Sequence, residues 1–304
     1  MGEGVDLLRS ELAKNCVDPA ISKDHTRVFH GRGGLFNALE HLSVDQFGNI
    51  LHITLFSQNE SEASTVQAIL EFAKSKNFAC TTLQKRYLKP PTSEVLHGEL
   101  PKELYAYENG MRFRLDLLSN QNTLYFGDMK NGRDFVRKNS LNRRVLNLFS
   151  YTCGFSVAAK LGGASSVVNV DMSKSALSVG KANHALNGIE TRGVSFLPYN
   201  ILKSFSGIKK HAPFDLAIID PPTLQRGSFD VQKDYIKIVK RLGELTSSDA
   251  QVLACLNATH LSSEFLLDLF SQSEFEFVKR VPNVEGFKSK DDQSSLKVLL
   301  FKKA

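Results

Sequence analysis

The chain has 304 residues, 42% of them hydrophobic and 23% charged, with a net charge of +6 and a pI near 9.0. That is ordinary globular chemistry, long enough for two domains, with a mild basic excess that points towards a polyanionic partner. It leaves no place for a membrane helix, because no apolar run approaches the roughly 18–20 residues a span requires.

The first residues, Met1 to Asp6, carry neither a basic nor an apolar leader region, so no secretory signal is read there. Cys16, Cys80, Cys153 and Cys255 lie far apart, without metal-ligand spacing. Neither a metal site nor a disulfide framework is expected, and a reducing cytoplasm is the matching compartment. Residues 5–14 read as a helix. Residues 27–34 read as a glycine-rich turn carrying Arg27, His30 and Arg32. It suits either a phosphate held by backbone N–H groups or a plain loop. Residues 47–56 have strand composition behind a Gly-Asn turn, and residues 79–87 read as another strand. Between them Val66, Ile69, Leu70 and Ala73 recur at helical spacing over residues 62–76. Together these predict a small N-terminal α/β domain over residues 1–90, with RNA binding as its candidate role. Residues 91–126 are expected to be linker and β-hairpin. Pro90-Pro91 breaks any regular element, and Asn109-Gly110 sits between alternating runs.

Residues 120–133 lead into a short helix over 133–138. The apolar run after Arg143 and Arg144 then gives a strand, a polar turn with Gly154 at the bend, and a helix stopped by Gly162-Gly163. A second buried strand, residues 166–170, ends at Asp171, 22 residues past Phe149. In nucleotide-binding α/β units an acid at about that distance takes ribose hydroxyls. The turn has one glycine where a dinucleotide fingerprint needs three, so a cofactor with a ribose and no pyrophosphate fits best. S-adenosylmethionine is the candidate. The plainer alternative is a βαβ unit whose Asp171 only caps a helix. A helix (174–186) and a strand (194–197) ending near Asn200 follow. The strand 214–219 runs into Asp220-Pro221-Pro222-Thr223. Then come a helix (232–245), a strand (252–256), a helix (261–270) and a closing strand pair, 275–281 and 296–301. The alternation predicts a doubly wound, Rossmann-like α/β sheet, mostly parallel with one antiparallel strand, over residues 127–304.

Four segments carry a resemblance: Asn147-Leu148-Phe149-Ser150-Tyr151-Thr152 with Gly154; Val170-Asp171-Met172-Ser173; Asp220-Pro221-Pro222-Thr223 with Phe229-Asp230-Val231-Gln232; and Phe126-Gly127-Asp128-Met129-Lys130 with Arg133. From about Tyr105 onward the chain resembles a class I S-adenosylmethionine-dependent methyltransferase. It is most similar to bacterial large-subunit ribosomal RNA methyltransferases, and among them to the N7-guanine-forming half of the bifunctional rRNA guanine methyltransferase. Cytosine-C5 enzymes share the architecture. Two departures stand in the last segment. Gly127 replaces an apolar residue, and Lys130 replaces an arginine, keeping charge but losing the bidentate fork.

The resemblance implies cofactor contacts from Asp128, Lys130, Phe149, Tyr151, Gly154, Asp171, Met172, Asn200 and Asp220. It implies catalytic parts for Asp220, Pro221 and Asn257. Guanine N7 is a lone-pair nucleophile with no proton to lose, so positioning and a carboxylate that offsets developing charge suffice. A cytosine-C5 enzyme would need a cysteine nucleophile. At the matching position stands Asn257, while Cys255 falls inside the preceding strand. The expected function is therefore S-adenosylmethionine-dependent methylation of RNA, at guanine N7 of large-subunit rRNA. The alternatives are cytosine-C5 methylation and a non-catalytic cofactor- or RNA-binding module. Lys130, Arg133, Arg137, Lys138, Arg143 and Arg144 are expected on the RNA-facing surface.

Overall fold

The computed structural model describes residues 2–119 and 121–304. Met1 and Asn120, which enter the readings of the N-terminus and of residues 120–133, lie outside the described residues. The chain divides into two compact units. One is Met1–Gly127 with Val284–Lys290; the other is Asp128–Asn283 with Asp291–Ala304.

In the first unit β1 (His25–His30), β2 (Leu42–Phe47), β3 (Ile50–Leu55), β4 (Cys80–Lys85) and β5 (Thr92–Gly98) form one sheet in that order. Only β3 and β4 pair in parallel, and α2 (Glu62–Ser75) makes the crossover that this requires. Strand alternation splits the sheet into two faces. Leu42, Val44, Leu51, Ile53, Leu55 and Leu83 join Leu8 and Leu12 of α1 (Gly2–Asn15) and Ile69 and Ala73 of α2 in a core. The opposite face is polar. There Asp45 accepts hydrogen bonds at 2.7 Å from His25 Nε2 and Arg27 Nε, and His52 meets Thr82 Oγ1 at 2.8 Å. Three readings change in this unit. Residues 27–30 are strand, and only Gly31–Gly33 turn, as one 3-10 turn closed by Gly34 at φ 71°. The strand β2 was not anticipated. Thr92 and Ser93, read as linker, open β5 and pair with β4. The hairpin is as expected: β6 (Tyr105–Glu108) and β7 (Met111–Arg114) flank Asn109 at φ 48° and Gly110 at φ 80°, the double left-handed turn that matches strand twist.

The second unit alternates strand and helix as expected; the helix Phe205–Lys209 and a two-stranded hairpin were not anticipated, and the helix Val231–Val239 is shorter than read. It runs α3 (Lys130–Lys138), β8 (Arg144–Leu148), α4 (Gly154–Leu161), β9 (Ser166–Val170), α5 (Lys174–Leu186), β10 (Val194–Leu197), α6 (Phe205–Lys209) and β11 (Phe214–Ile219). A miniature hairpin follows, β12 (Leu224–Gln225) with β13 (Phe229–Asp230). Then come α7 (Val231–Val239), β14 (Thr246–Leu256), α8 (Ser263–Ser271), β15 (Phe275–Arg280) and β16 (Lys297–Lys303). The seven-stranded sheet has the order β10-β9-β8-β11-β14-β16-β15, and β16 alone runs antiparallel to its neighbours. Strand order reverses between β8 and β11, which opens a crevice at their carboxyl ends. One sheet face (Leu146, Leu148, Val168, Ala217, Ile219, Ala254) packs on α6, α7 and α8. The other carries a buried polar chain. Asn147 Nδ2 donates to Asn169 Oδ1 (3.0 Å), Asn169 Nδ2 to Ser156 Oγ (3.0 Å), Ser156 Oγ to His184 Nε2 (2.9 Å), and His184 Nδ1 to Gly180 O (2.7 Å). The carbonyl at the end sets the tautomer, and burial lowers the His184 pKa, so the imidazole is neutral.

Candidate active site

Register places four residues at one level along the carboxyl edge. Val170 pairs with Leu148, Leu148 with Ile219, and Ile219 with Ala254. The next residues, Asp171, Phe149, Asp220 and Cys255, therefore stand side by side. With strands about 4.8 Å apart, the two carboxylates flank the crevice at roughly 10 Å.

The turn leaving β8 is strained. Phe149 (φ 58°), Tyr151 (φ 44°) and Cys153 (φ 61°) are left-handed without being glycine, a geometry costing of order 1 kcal/mol or more each. Its surroundings over-determine it. Ser150 N donates to Val170 O (3.1 Å), Cys153 N to Ser150 O (2.7 Å), and Asn183 Nδ2 to Thr152 O (2.9 Å). Tyr151 N donates to Asp171 Oδ2 (2.9 Å), and Ser173 N to Asp171 Oδ1 (2.8 Å). The Asp171 carboxylate is thus fixed by two backbone donors while each oxygen keeps a lone pair. It does not cap α5. Ser173 does, accepting from Ala176 N at 3.1 Å.

Beside Asp171 lies a pocket lined by Phe149, Met172, Tyr199, Asn200, Ile201, Leu202, Gln225, Ser228 and Phe229. Phe149 and Phe229 meet edge to face at 4.8 Å. Asn200 Oδ1 accepts from Lys203 N (3.1 Å), capping a 3-10 turn, and its Nδ2 contacts Met172 Sδ at 3.6 Å. The arrangement sets a carboxylate with free lone pairs beside two aromatic rings.

Phe149, Asp171, Met172 and Asn200 are thus brought together. Tyr151 takes part through its backbone, and Gly154 opens α4. Asp220 is half-buried and Pro221 buried. Burial pushes the Asp220 carboxyl up to about 7, the Asp128 charge adds to the rise, and the Arg133 guanidinium opposes it. Asn257 is exposed just past β14, where its carbonyl accepts from Thr223 Oγ1 at 3.1 Å. Cys255 is fully buried. Burial and the nearby Asp220 and Asp128 charges push its thiol far above the usual range. All four cysteines are free thiols.

Part of the basic set before β8 is corrected. Arg133 is 4% exposed and serves as a countercharge near Asp220. Arg144 donates to the carbonyls of His211 and Ala212, and Arg143 to Gln251 Oε1 at 2.7 Å. Arg143 and Arg144 also stand at the amino end of the sheet, opposite the crevice. Lys138 pairs with Asp134. Lys130 opens α3, half-buried beside Met129. Sequence reasoning missed Phe229 as a pocket wall, Ser173 as the cap, and Lys297. That lysine is fully buried and donates to Ala258 O (2.9 Å) and Gln293 O (2.7 Å), clamping the loop that carries Asn257.

Residues 26–302 match the family described as S-adenosylmethionine-dependent methyltransferase. The chain is 28% identical over 223 residues to ribosomal RNA large subunit methyltransferase I of Aeromonas salmonicida, covering 71% of this chain and 56% of that protein. It is 40% identical over 158 residues to ribosomal RNA large subunit methyltransferase K/L of a Shewanella species, covering 50% of this chain and 22% of that protein. The match thus spans about half the length of the first relative and about a fifth of the second. A Streptococcus mutans structure described as a SAM-dependent methyltransferase superposes with a TM-score of 0.86 at 24% identity, over 98% of this chain and 80% of that one; the likeness shows the fold. The sheet order, the Asp171 edge and a family match over nearly the whole chain agree, and the chain belongs to the S-adenosylmethionine-dependent methyltransferases.

Proposed function

We propose that the chain methylates RNA, at guanine N7 of large-subunit rRNA. Both curated relatives carry large-subunit rRNA in their names. The observation that favours a purine is the carboxyl edge of β14, where a reactive thiol would have to stand. Cys255 is sealed in the sheet and held as a thiol, and the exposed residue is Asn257. An amide can hydrogen-bond a base edge but cannot form a covalent adduct.

When bound, S-adenosylmethionine supplies an electrophilic methyl group on a sulfonium. The chain does the rest by placement. Asp171 would take the ribose hydroxyls, with Phe149, Phe229 and Met172 beside the base and Asn200 at its edge. Asp128, Lys130, Tyr151 and Gly154 would hold the cofactor's amino-acid end. Pro221 and Pro222 have no N–H to donate, so this stretch offers only carbonyls to a guanine beside the donor. Asp220, ionised, offsets the positive charge that grows on the ring. Gly127 is no sign of decay: a Cβ there would lie 2.0 Å from the His25 ring, which fills the space an apolar side chain would take.

Cys255→Ala is expected to retain methyl transfer, and Asn257→Ala to lower it by a factor of roughly ten, the worth of one hydrogen bond to the base. Nucleoside mass spectrometry of rRNA from cells with and without the gene should show N7-methylguanosine lost at one position. RNA trapped on Cys255 by a 5-fluoropyrimidine would overturn the purine assignment.

A further inference from the structure

The polar face of the first unit's sheet is not used by the cofactor pocket. Register runs His30–Ser43–Thr54–Gln84 across β1 to β4 on that face. The next level carries His41, Phe56 and Arg86, because Phe56 N donates to His41 O (2.8 Å) and Arg86 N to Leu55 O (2.8 Å). Arg32 enters from the glycine turn. Its guanidinium carbon lies 4.3 Å from the Phe56 ring centroid, and that of Arg86 lies 5.4 Å from the same centroid. Two guanidiniums therefore share one ring.

Neither has a carboxylate partner among the described residues. Arg86 donates to Asn122 Oδ1 at 3.1 Å, and the acid of this face, Asp45, is spent on His25 and Arg27. Burial and a neighbouring guanidinium lower the pKa of both arginines, Arg27 acting on Arg32 and Arg32 on Arg86. A third cation flanks the glycine turn that carries Arg32. The stem of Lys290 lies on Gly34, where a Cβ would meet Lys290 Cδ at 2.9 Å, and Lys290 N donates to Gly33 O (2.8 Å). Lys290 is exposed and has no carboxylate partner among the described residues. On the same face Ser43 Oγ and His52 Nε2 are buried without a partner, their residues 0% and 1% exposed. Crowded cations with no acid between them, over polar atoms left unpaired, are arranged for an oxyanion rich in acceptors.

We propose that Arg32, Arg86 and Lys290 form a phosphate-binding site on the first unit, which takes a phosphodiester of the substrate's backbone. The RNA in this proposal rests on the function proposed above; the oxyanion does not. Guanidinium forks and an ammonium grip phosphate oxygens without reading a base, so the site fixes RNA position and leaves base choice to Asn257 and the Asp220 stretch.

The test is fluorescence anisotropy of a labelled single-stranded RNA with the full chain across a salt series. The Arg32→Gln/Arg86→Gln double variant and Lys290→Ala are compared with wild type, and S-adenosylhomocysteine binding by calorimetry reports folding. The double variant should bind RNA roughly tenfold more weakly at low salt. The slope of log K against log salt should flatten by about 0.7 for each phosphate no longer neutralised. Lys290→Ala, a change on an exposed side chain, should move both in the same direction by less, with cofactor affinity retained. Unchanged RNA affinity and slope in both variants would overturn the site. If the wild type binds cofactor but no RNA, the RNA reading falls and inorganic pyrophosphate decides the rest. Calorimetric binding that the double variant loses would uphold an oxyanion site for a phosphorylated small molecule. No binding by the wild type would refute it.

Discussion

Asp171→Ala is expected to weaken S-adenosylhomocysteine binding by roughly 1–3 kcal/mol, measured by calorimetry. Two effects combine. The ribose hydroxyls lose their acceptor, and Tyr151 N–H loses the carboxylate oxygen now 2.9 Å away, which helps hold a turn with three left-handed non-glycine residues. Asp171→Asn should not restore binding. Both carboxylate oxygens already face backbone N–H groups, so an amide nitrogen would point a donor at a donor. Cofactor affinity of the alanine variant equal to wild type would remove Asp171 from the site.

Asp220→Asn should lower kcat by about 10²–10³ with little change in cofactor affinity, the scale seen when one group stabilising transition-state charge is removed. Its pH behaviour gives an independent signature. The folded-state pKa is raised to about 7 by burial and the Asp128 charge, so the carboxylate forms only as pH rises through that value. In wild type kcat/KM should climb from about pH 6 to about pH 8 and then level, falling close to tenfold per unit well below 7. Stability should move the other way. From the ordinary carboxylate range up to about 7 the native state holds a proton that the unfolded chain has released, so wild type loses stability as pH rises through that window. The asparagine variant lacks this slope and should melt higher than wild type near pH 8. A variant as active as wild type, with the same climb between about pH 6 and about pH 8, would exclude Asp220 from the chemistry.

The second unit was the more legible in sequence, and burial explains why. Residues 166–170 and 214–219 are runs of apolar and β-branched residues between turn signals, as expected of parallel strands covered on both faces. The helix 174–186 ends where Asn187-Gly188 says it should. In the first unit β2 (Leu-Ser-Val-Asp-Gln-Phe) escaped notice because only Leu42 and Val44 face the core, while its other face, also buried, carries Ser43 and Asp45. What makes Asp45 tolerable there is His25 and Arg27, about twenty positions away in the chain. Residues 27–30 looked like a turn because three glycines follow, and local composition outweighed a pairing with β2 that only the fold reveals. The helical pattern over 232–245 continues past the real end of α7 at Val239, since Leu242 and Leu245 are buried through a 3-10 turn. At the site, Asp171 and the Asp220 stretch carried their own signals. Lys297 did not, because a lysine in Ser-Leu-Lys-Val-Leu-Leu-Phe reads as an outward residue of an edge strand.

The polar chain from Asn147 to Gly180 O works as a key for the layer it crosses. Every donor in it points the same way, so only one seating of α4 and α5 against β8 and β9 lets each group find its acceptor. Sliding either helix by a turn, or either strand by a residue, would strand several buried polar groups at about 1–3 kcal/mol apiece, whereas a purely greasy layer would tolerate neighbouring seatings almost equally. Ser156 and His184 lie just behind the strained turn, and so the key decides where Asp171 and Tyr151 meet. A sequence drifting at one of these four positions would leave the next without a partner, so change there has to come as a set.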